Sequence, residues 1–135
     1  MFTSETTVRV RYAETDQMGY VYYGNYATYY EVARIETLRD LGYSYKKMEE
    51  NGVMLPVLEN KSKYIKPGKY DDLLTIKVTI PKMPDVRIIF KYEVFNEAGD
   101  LINIGETTLV FVNTKTGKPC KMPDVLHDIL IAYYQ

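Results

Sequence analysis

The chain has one cysteine, one histidine and no tryptophan in 135 residues. Cys120 cannot close an intrachain disulfide, which points to a reducing compartment and a fold held by its core. With His127 as the only histidine, a His-cluster metal site is excluded, and a zinc site of any usual composition lacks ligands. A Ser-His-Asp or Cys-His arrangement would have to use His127, and no nucleophile-elbow sequence accompanies it. Charge of one sign is also missing: 17 basic and 18 acidic residues leave a formal net charge of −1. There is therefore no global attraction to nucleic acid or to an anionic membrane. Apolar runs last only a few residues, far short of the roughly 20 that a membrane span needs. Residues 1–5 show neither the basic nor the apolar region of a signal peptide. These absences together lead us to expect a cytoplasmic protein.

What is present is ordinary in bulk and unusual in one residue type. Hydrophobic residues make up 46% and charged residues 26%, the balance of a globular protein. The length suits one domain, expected to be residues 1–135. Tyrosine occurs 14 times, with a cluster between Tyr20 and Tyr30. Without a histidine cluster, any enzymatic chemistry is expected to come from carboxylates, tyrosines, hydroxyls and backbone groups.

Residues 6–12 alternate apolar and polar, the pattern of a half-buried strand. Residues 13–24 carry the Asp, Gly and Asn punctuation of a structured loop. A helix follows, with Asn25 as its N-cap. Its buried stripe runs through Tyr26, Tyr29 or Tyr30, Ala33, Thr37, Leu38 and Leu41. Glu31, Arg34, Arg39 and Asp40 are expected largely off that stripe, and Gly42 stops the helix. A short second helix spans 44–51, capped by Ser44. Strands are expected over 53–65, around Leu74 to Ile80, around Ile88 to Val94 and over 101–112, with a hairpin turn at Gly99. A terminal helix covers 124–134. Strands that run in succession after helices predict an α+β fold with an antiparallel sheet. Ile89, Phe95 and Ile104 fit no single buried face, so the outer sheet surface is a candidate subunit contact.

The chemistry-bearing stretch is 9–26, Arg-Val-Arg-Tyr-Ala-Glu-Thr-Asp-Gln-Met-Gly-Tyr-Val-Tyr-Tyr-Gly-Asn-Tyr. It places Asp16 in a loop that leads directly into a helix start. A helix N-terminus presents unpaired N–H groups and partial positive charge, which can hold a developing oxyanion. A carboxylate beside it can attack a carbonyl or activate water. An aspartate in such a loop also serves simply as a turn residue.

This segment resembles the signature of the 4-hydroxybenzoyl-CoA thioesterase family of hotdog proteins, on Asp16, Gly19, Val21, Tyr22, Tyr23, Asn25 and Tyr26. The family's Pro-x-x-Tyr-Asp-Asp block is matched by Pro67, Tyr70, Asp71 and Asp72. Glu31 and Arg34, Leu41-Gly42, Gly52 and Pro56 match as well, so the resemblance covers residues 6–112. It implies a hotdog fold, a five-stranded antiparallel sheet wrapped around one long central helix. It also implies a homodimer or homotetramer with active sites between subunits, and a thioesterase that uses no metal and no bound cofactor. The substrate would be an acyl-CoA or acyl-carrier-protein thioester, with the CoA entering as part of it. By the same resemblance the catalytic carboxylate falls on Asp16 and the oxyanion-binding backbone on Tyr23, with Gly24 beside it. Many acyl-CoA hydrolases of the family carry His where this chain has Tyr23; a backbone N–H survives that exchange and an imidazole role does not.

Candidate substrate contacts are Asn25, Tyr26, Glu31 and Arg87. Each has a plainer alternative: capping for Asn25, packing for Tyr26, an i,i+3 pair with Arg34 for Glu31 and a solvated strand for Arg87. Arg87 is attractive because guanidinium makes forked contacts with phosphate. Asp71 and Asp72 read as turn residues, and His127 as a residue without chemistry. Three other functions compete with hydrolysis. A hydratase or dehydratase would pair a His with an acid, which this motif lacks. A non-catalytic acyl-thioester binding module would keep the pocket, and a purely structural dimerisation module would bind no thioester.

Overall fold

A computed structural model describes residues 1–135. Seven strands and three helices follow in the order β1 (Phe2–Arg9), α1 (Asn25–Asp40), α2 (Tyr45–Glu50), β2 (Val53–Met54), β3 (Val57–Tyr64), β4 (Leu73–Ile80), β5 (Arg87–Phe95), β6 (Leu101–Val110), β7 (Val112–Asn113) and α3 (Asp124–Leu130). Five of the strands form one antiparallel sheet in the order β1-β4-β5-β6-β3, and β2 pairs with β7 in a separate two-stranded ladder.

The strand alternation read from the sequence fills the core. Leu74, Ile76, Val78 and Ile80 of β4 and Ile88, Phe90, Tyr92 and Val94 of β5 are all buried. Their neighbours point to the other face, which carries charge. There Glu106 of β6 lies 3.9 Å from both Lys91 of β5 and Lys61 of β3. Ile89 and Phe95 are half-buried and Ile104 is exposed on this side. Ile104 lies between Glu93 and Lys63 and Ile89 opposite Thr108, while Phe95 faces Leu101, so charged and polar residues interrupt this face.

Element boundaries moved where tertiary contacts decide them. The first strand begins at Phe2, ahead of the expected 6–12, because it pairs along β4 from Phe2 opposite Ile80 to Arg9 opposite Leu73. The expected strand 53–65 breaks at Leu55-Pro56 into β2 and β3, as proline in a ladder favours. The terminal helix stops at Leu130 and continues as a 3-10 turn, Ile131–Tyr134. Ser44 caps α2 as its sequence predicts, accepting from the Lys47 N–H at 3.2 Å.

The longest helix is α1, of 16 residues. Its backbone approaches β1 and β4 most closely, and its long side chains reach the rest of the sheet. The Tyr30 ring lies flat on Tyr92, centroids 4.2 Å apart, and its hydroxyl meets Ser62 of β3 and Asn103 of β6. That approach requires Gly105 in β6, since a Cβ there would sit 2.2 Å from the Tyr30 ring. Arg34 is buried on the stripe, not off it. Its Nη1 is 3.5 Å from the Tyr92 hydroxyl, and its Nε has no partner. The expected Glu31–Arg34 pair does not form; Glu31 is exposed.

The two sheet edges differ. The β1 edge is partly covered, by Ser4 bonded to Asp40 of α1 and by Tyr133 packed on Phe2. The β3 edge is bare: every residue except Ser62 is exposed. No helix is long and apolar enough to cross a membrane.

Candidate active site

Residues 10–24 fold back on themselves before α1 begins. Tyr12–Glu14 makes a 3-10 turn. A tight turn follows, in which the Gly19 N–H donates to the Asp16 carbonyl at 3.0 Å and the Asp16 N–H to the Tyr20 carbonyl at 2.8 Å. Gly19 has φ +79, a conformation that an L side chain resists. Asp16 Oδ1 accepts from the Met18 and Tyr20 N–H groups at 2.9 and 3.2 Å, a local bond that fixes the side chain. Its Oδ2 has no hydrogen-bond partner. The turn role and an available oxygen therefore coexist in one carboxylate.

Glu14 anchors this loop to the helix. Its carboxylate receives the Arg11 guanidinium, the Arg11 backbone N–H and the Tyr29 hydroxyl. Burial pushes the Glu14 carboxyl up, but those donors outweigh it and hold it below the usual range. Its carbonyl accepts from the Tyr22 N–H and from Asn25 Nδ2 at 2.9 and 2.8 Å. Asn25 is thus not the N-cap: that position is Gly24, which makes no side-chain cap bond. Asn25 ties the first turn of α1 to the loop.

At the helix start the Tyr23 and Gly24 N–H groups have no acceptor within the chain. The Tyr23 carbonyl accepts from the Tyr26 N–H at 3.3 Å and lies 3.5 Å from the Tyr64 hydroxyl.

Asp16 and Tyr23 line one cleft of about 340 Å³, walled by Tyr20, Val21, Tyr26 and Tyr64. The Tyr64 ring packs edge-on to Tyr23 and Tyr26, with centroids at 6.3 and 5.6 Å. Burial pushes the Tyr26 phenol up to about 12, so it stays a neutral donor. Lys66, on the segment after β3, is the one cation in the lining; it lies 3.6 Å from Asp100. A second, more polar cleft of about 660 Å³ shares Asp16 with the first and is otherwise lined by different residues. A third depression, on the outer sheet face, is lined by Lys61, Lys91 and Glu106, which already face one another.

The structure thus brings Asp16, Tyr23 and Tyr26 into one cleft, with Gly24 and Asn25 at its helix end. Glu31 does not line that cleft. Arg87 pairs with Val110 at the far end of β6. The cleft's rim meets that strand at Ile102, where the Lys66 N–H donates, so at about 3.4 Å per residue the two lie roughly 27 Å apart. Asp71 and Asp72 are turn residues. Asp71 has φ +67 and gives its carbonyl to Arg9, while Asp72 accepts from the Lys69 N–H. Sequence reasoning overlooked Glu14, Tyr64 and Lys66. An acidic residue three positions after Arg11 was the available sign for Glu14, and proximity to the Pro67 block for the other two.

The sequence pattern of the thioesterase-like superfamily matches residues 10–130. The chain belongs to this family. A thioesterase-like relative, YneP of Bacillus subtilis, is 34% identical over 133 residues, covering 98% of this chain and 96% of its own. The acyl-CoA thioester hydrolase YbgC of Escherichia coli is 33% identical over 116 residues, covering 86% and 87%. Among solved structures, the DHNA-CoA thioesterase of Staphylococcus aureus superposes with a TM-score of 0.90 at 40% identity, covering 98% of this chain and 89% of its own. The mixed α+β fold with its antiparallel sheet is that of these hotdog thioesterases, and the enzyme reading of the sequence stands on this membership.

Proposed function

We propose that this thioesterase-family protein hydrolyses acyl-CoA-type thioesters to free acid and thiol, with Asp16 as the reacting carboxylate. The observation that carries the reading is a pairing of opposite kinds. Asp16, with one carboxylate oxygen unpartnered, and Tyr23, whose backbone N–H has no acceptor, line the same aromatic-walled cleft, and the equally free Gly24 N–H follows Tyr23 in the chain. The Tyr23 and Gly24 N–H groups would receive the thioester oxygen, augmented by the positive end of α1. Asp16 Oδ2 would either take a proton from water as it attacks, or attack the carbonyl itself. In the first case the tetrahedral oxyanion collapses to expel thiolate. In the second a mixed anhydride forms as thiolate leaves, and water then hydrolyses it. Acyl-carrier-protein thioesters share the same reacting bond and remain within this class.

Flat tyrosine walls favour an aromatic acyl group, since aromatic pairs gain beyond their buried area. The similarity to a DHNA-CoA thioesterase supports the same class. We further propose that the sheet curves around α1 and that the working form is a homodimer, two of which can form a tetramer. The bare β3 edge supports this, with Val57, Leu58 and Tyr64 each about half exposed at 48%, 53% and 52%. Tyr64 belongs to both features, so pairing at β3 would bring a second copy to the cleft.

The test is free-thiol release from a panel of aromatic and straight-chain acyl-CoAs by wild type and Asp16→Asn. Asparagine retains an acceptor for the Met18 and Tyr20 N–H groups, so the turn survives and circular dichroism should match. Turnover is expected to fall about 10²–10⁴-fold. Equal turnover by both proteins removes Asp16 from the mechanism. Binding without turnover by wild type would instead favour a non-catalytic thioester-binding module.

A further inference from the structure

Asp16 stands at the junction of two clefts with different walls. One is the aromatic cleft already described. The other is lined by Tyr12, Thr15, Gln17, Gly19 and Tyr70 beside Asp16 itself. Tyr12 comes from the 3-10 turn and Tyr70 from the loop before β4. They are 58 positions apart in sequence, yet their rings meet edge to face, centroids 5.6 Å apart at 75°. Both are exposed, at 79% and 56%, and neither hydroxyl is bonded within the chain. Single exposed hydrophobes are commonplace, but two aromatic rings in contact along a cleft that ends at a carboxylate form a surface.

A thioester carbon carries its acyl group on one side and sulfur on the other. If its carbonyl reacts at Asp16, the two halves of the substrate must run in different directions. We infer that the acyl group enters the Tyr20–Tyr64 cleft and that the thiol-bearing pantetheine arm lies along the Tyr12–Tyr70 surface. The apolar half suits the more apolar walls. The arm, with two amides, a hydroxyl and a pair of methyl groups, suits tyrosine faces flanked by the Gln17 amide and exposed backbone. Tyr12 and Tyr70 are then binding residues for the thiol side, and they set the preference for long carriers over truncated thiols. This rests on the hydrolase reading for where the thioester reacts.

The test uses binding, so that it does not depend on turnover. Non-hydrolysable phenacyl thioethers of CoA, pantetheine and N-acetylcysteamine are titrated calorimetrically into wild type, Tyr12→Ala and Tyr70→Ala. Both side chains are exposed, and circular dichroism checks the fold. Each variant is expected to weaken the CoA and pantetheine thioethers about three- to tenfold, and the N-acetylcysteamine thioether less than twofold. Equal weakening of all three ligands, or of none, overturns the assignment. Weakening with CoA alone overturns it too, because the tyrosines would then contact the nucleotide and not the arm. Should the binding pattern hold while wild type releases no thiol from any acyl-CoA, the hydrolase reading fails and the thiol-side surface stands.

Discussion

At Asp16 the two carboxylate oxygens have different duties. Oδ1 is committed to the turn and Oδ2 is unengaged, so an Asn replacement separates reactivity from conformation. Glu14 is the complementary case, a carboxylate whose every tie is conformational. Its folded-state pKa lies below its ordinary value of 4.5. The carboxylate therefore adds stability above that value, and the contribution is lost as pH falls through the lower folded value. Glu14→Gln is expected to be less stable than wild type at pH 7 and to lose less of its stability on acidification below about pH 4.5. Thermal unfolding at a series of pH values checks this; parallel pH curves for the two proteins would refute it. Asp16 was legible in the sequence because it falls in a motif. The role of Glu14 was not, because three of its four partners, Tyr22, Asn25 and Tyr29, are set by how the loop folds back.

Among the elements, the strands were the easiest to read, since β4 and β5 alternate strictly and both bury the alternate set. Helix α1 was harder. Its stripe was found, but Arg34 was expected largely off it, paired with Glu31. The long guanidinium stem instead passes under α1 toward Tyr92, a burial that depends on what the sheet offers opposite. Gly105 was equally silent. Within a strand a glycine weakens the ladder, and its reason appears only when the Tyr30 ring is seen resting on it. Gly105→Ala is expected to force the stacked Tyr30 and Tyr92 rings apart, costing about 1–3 kcal/mol and lowering Tm by roughly 5–10 °C. An unchanged Tm would mean that the ring slides aside at no cost.

For the molecule as a whole, the fold class followed from element order, whereas the position of the bare sheet edge did not. Ile89, Phe95 and Ile104 could be read equally as scattered surface residues or as part of a contact, and cross-strand Lys–Glu neighbours lie on the same face. The bare strand is β3, whose sequence reads as polar because Glu59, Lys61 and Lys63 alternate through it. Which strand ends a sheet depends on pairing order, and no local pattern encodes that. Leu58→Glu places a charge on that edge at a position already half exposed. The variant is expected to fold, to sediment as a monomer and to lose most thioesterase activity. A variant that sediments like wild type would place the subunit contact elsewhere.

The cleft's aromatic walls are built from tyrosine alone, in a chain with 14 tyrosines and no tryptophan. The protein consequently neither absorbs nor emits beyond the range of phenol. A naphthoyl or similar acyl group held between Tyr23, Tyr26 and Tyr64 would be the one emitter in that window, lit either directly or by energy passed from the surrounding phenols. Occupancy of the cleft can then be followed by light in unlabelled protein, and each of the three rings can be removed in turn to find which one feeds it.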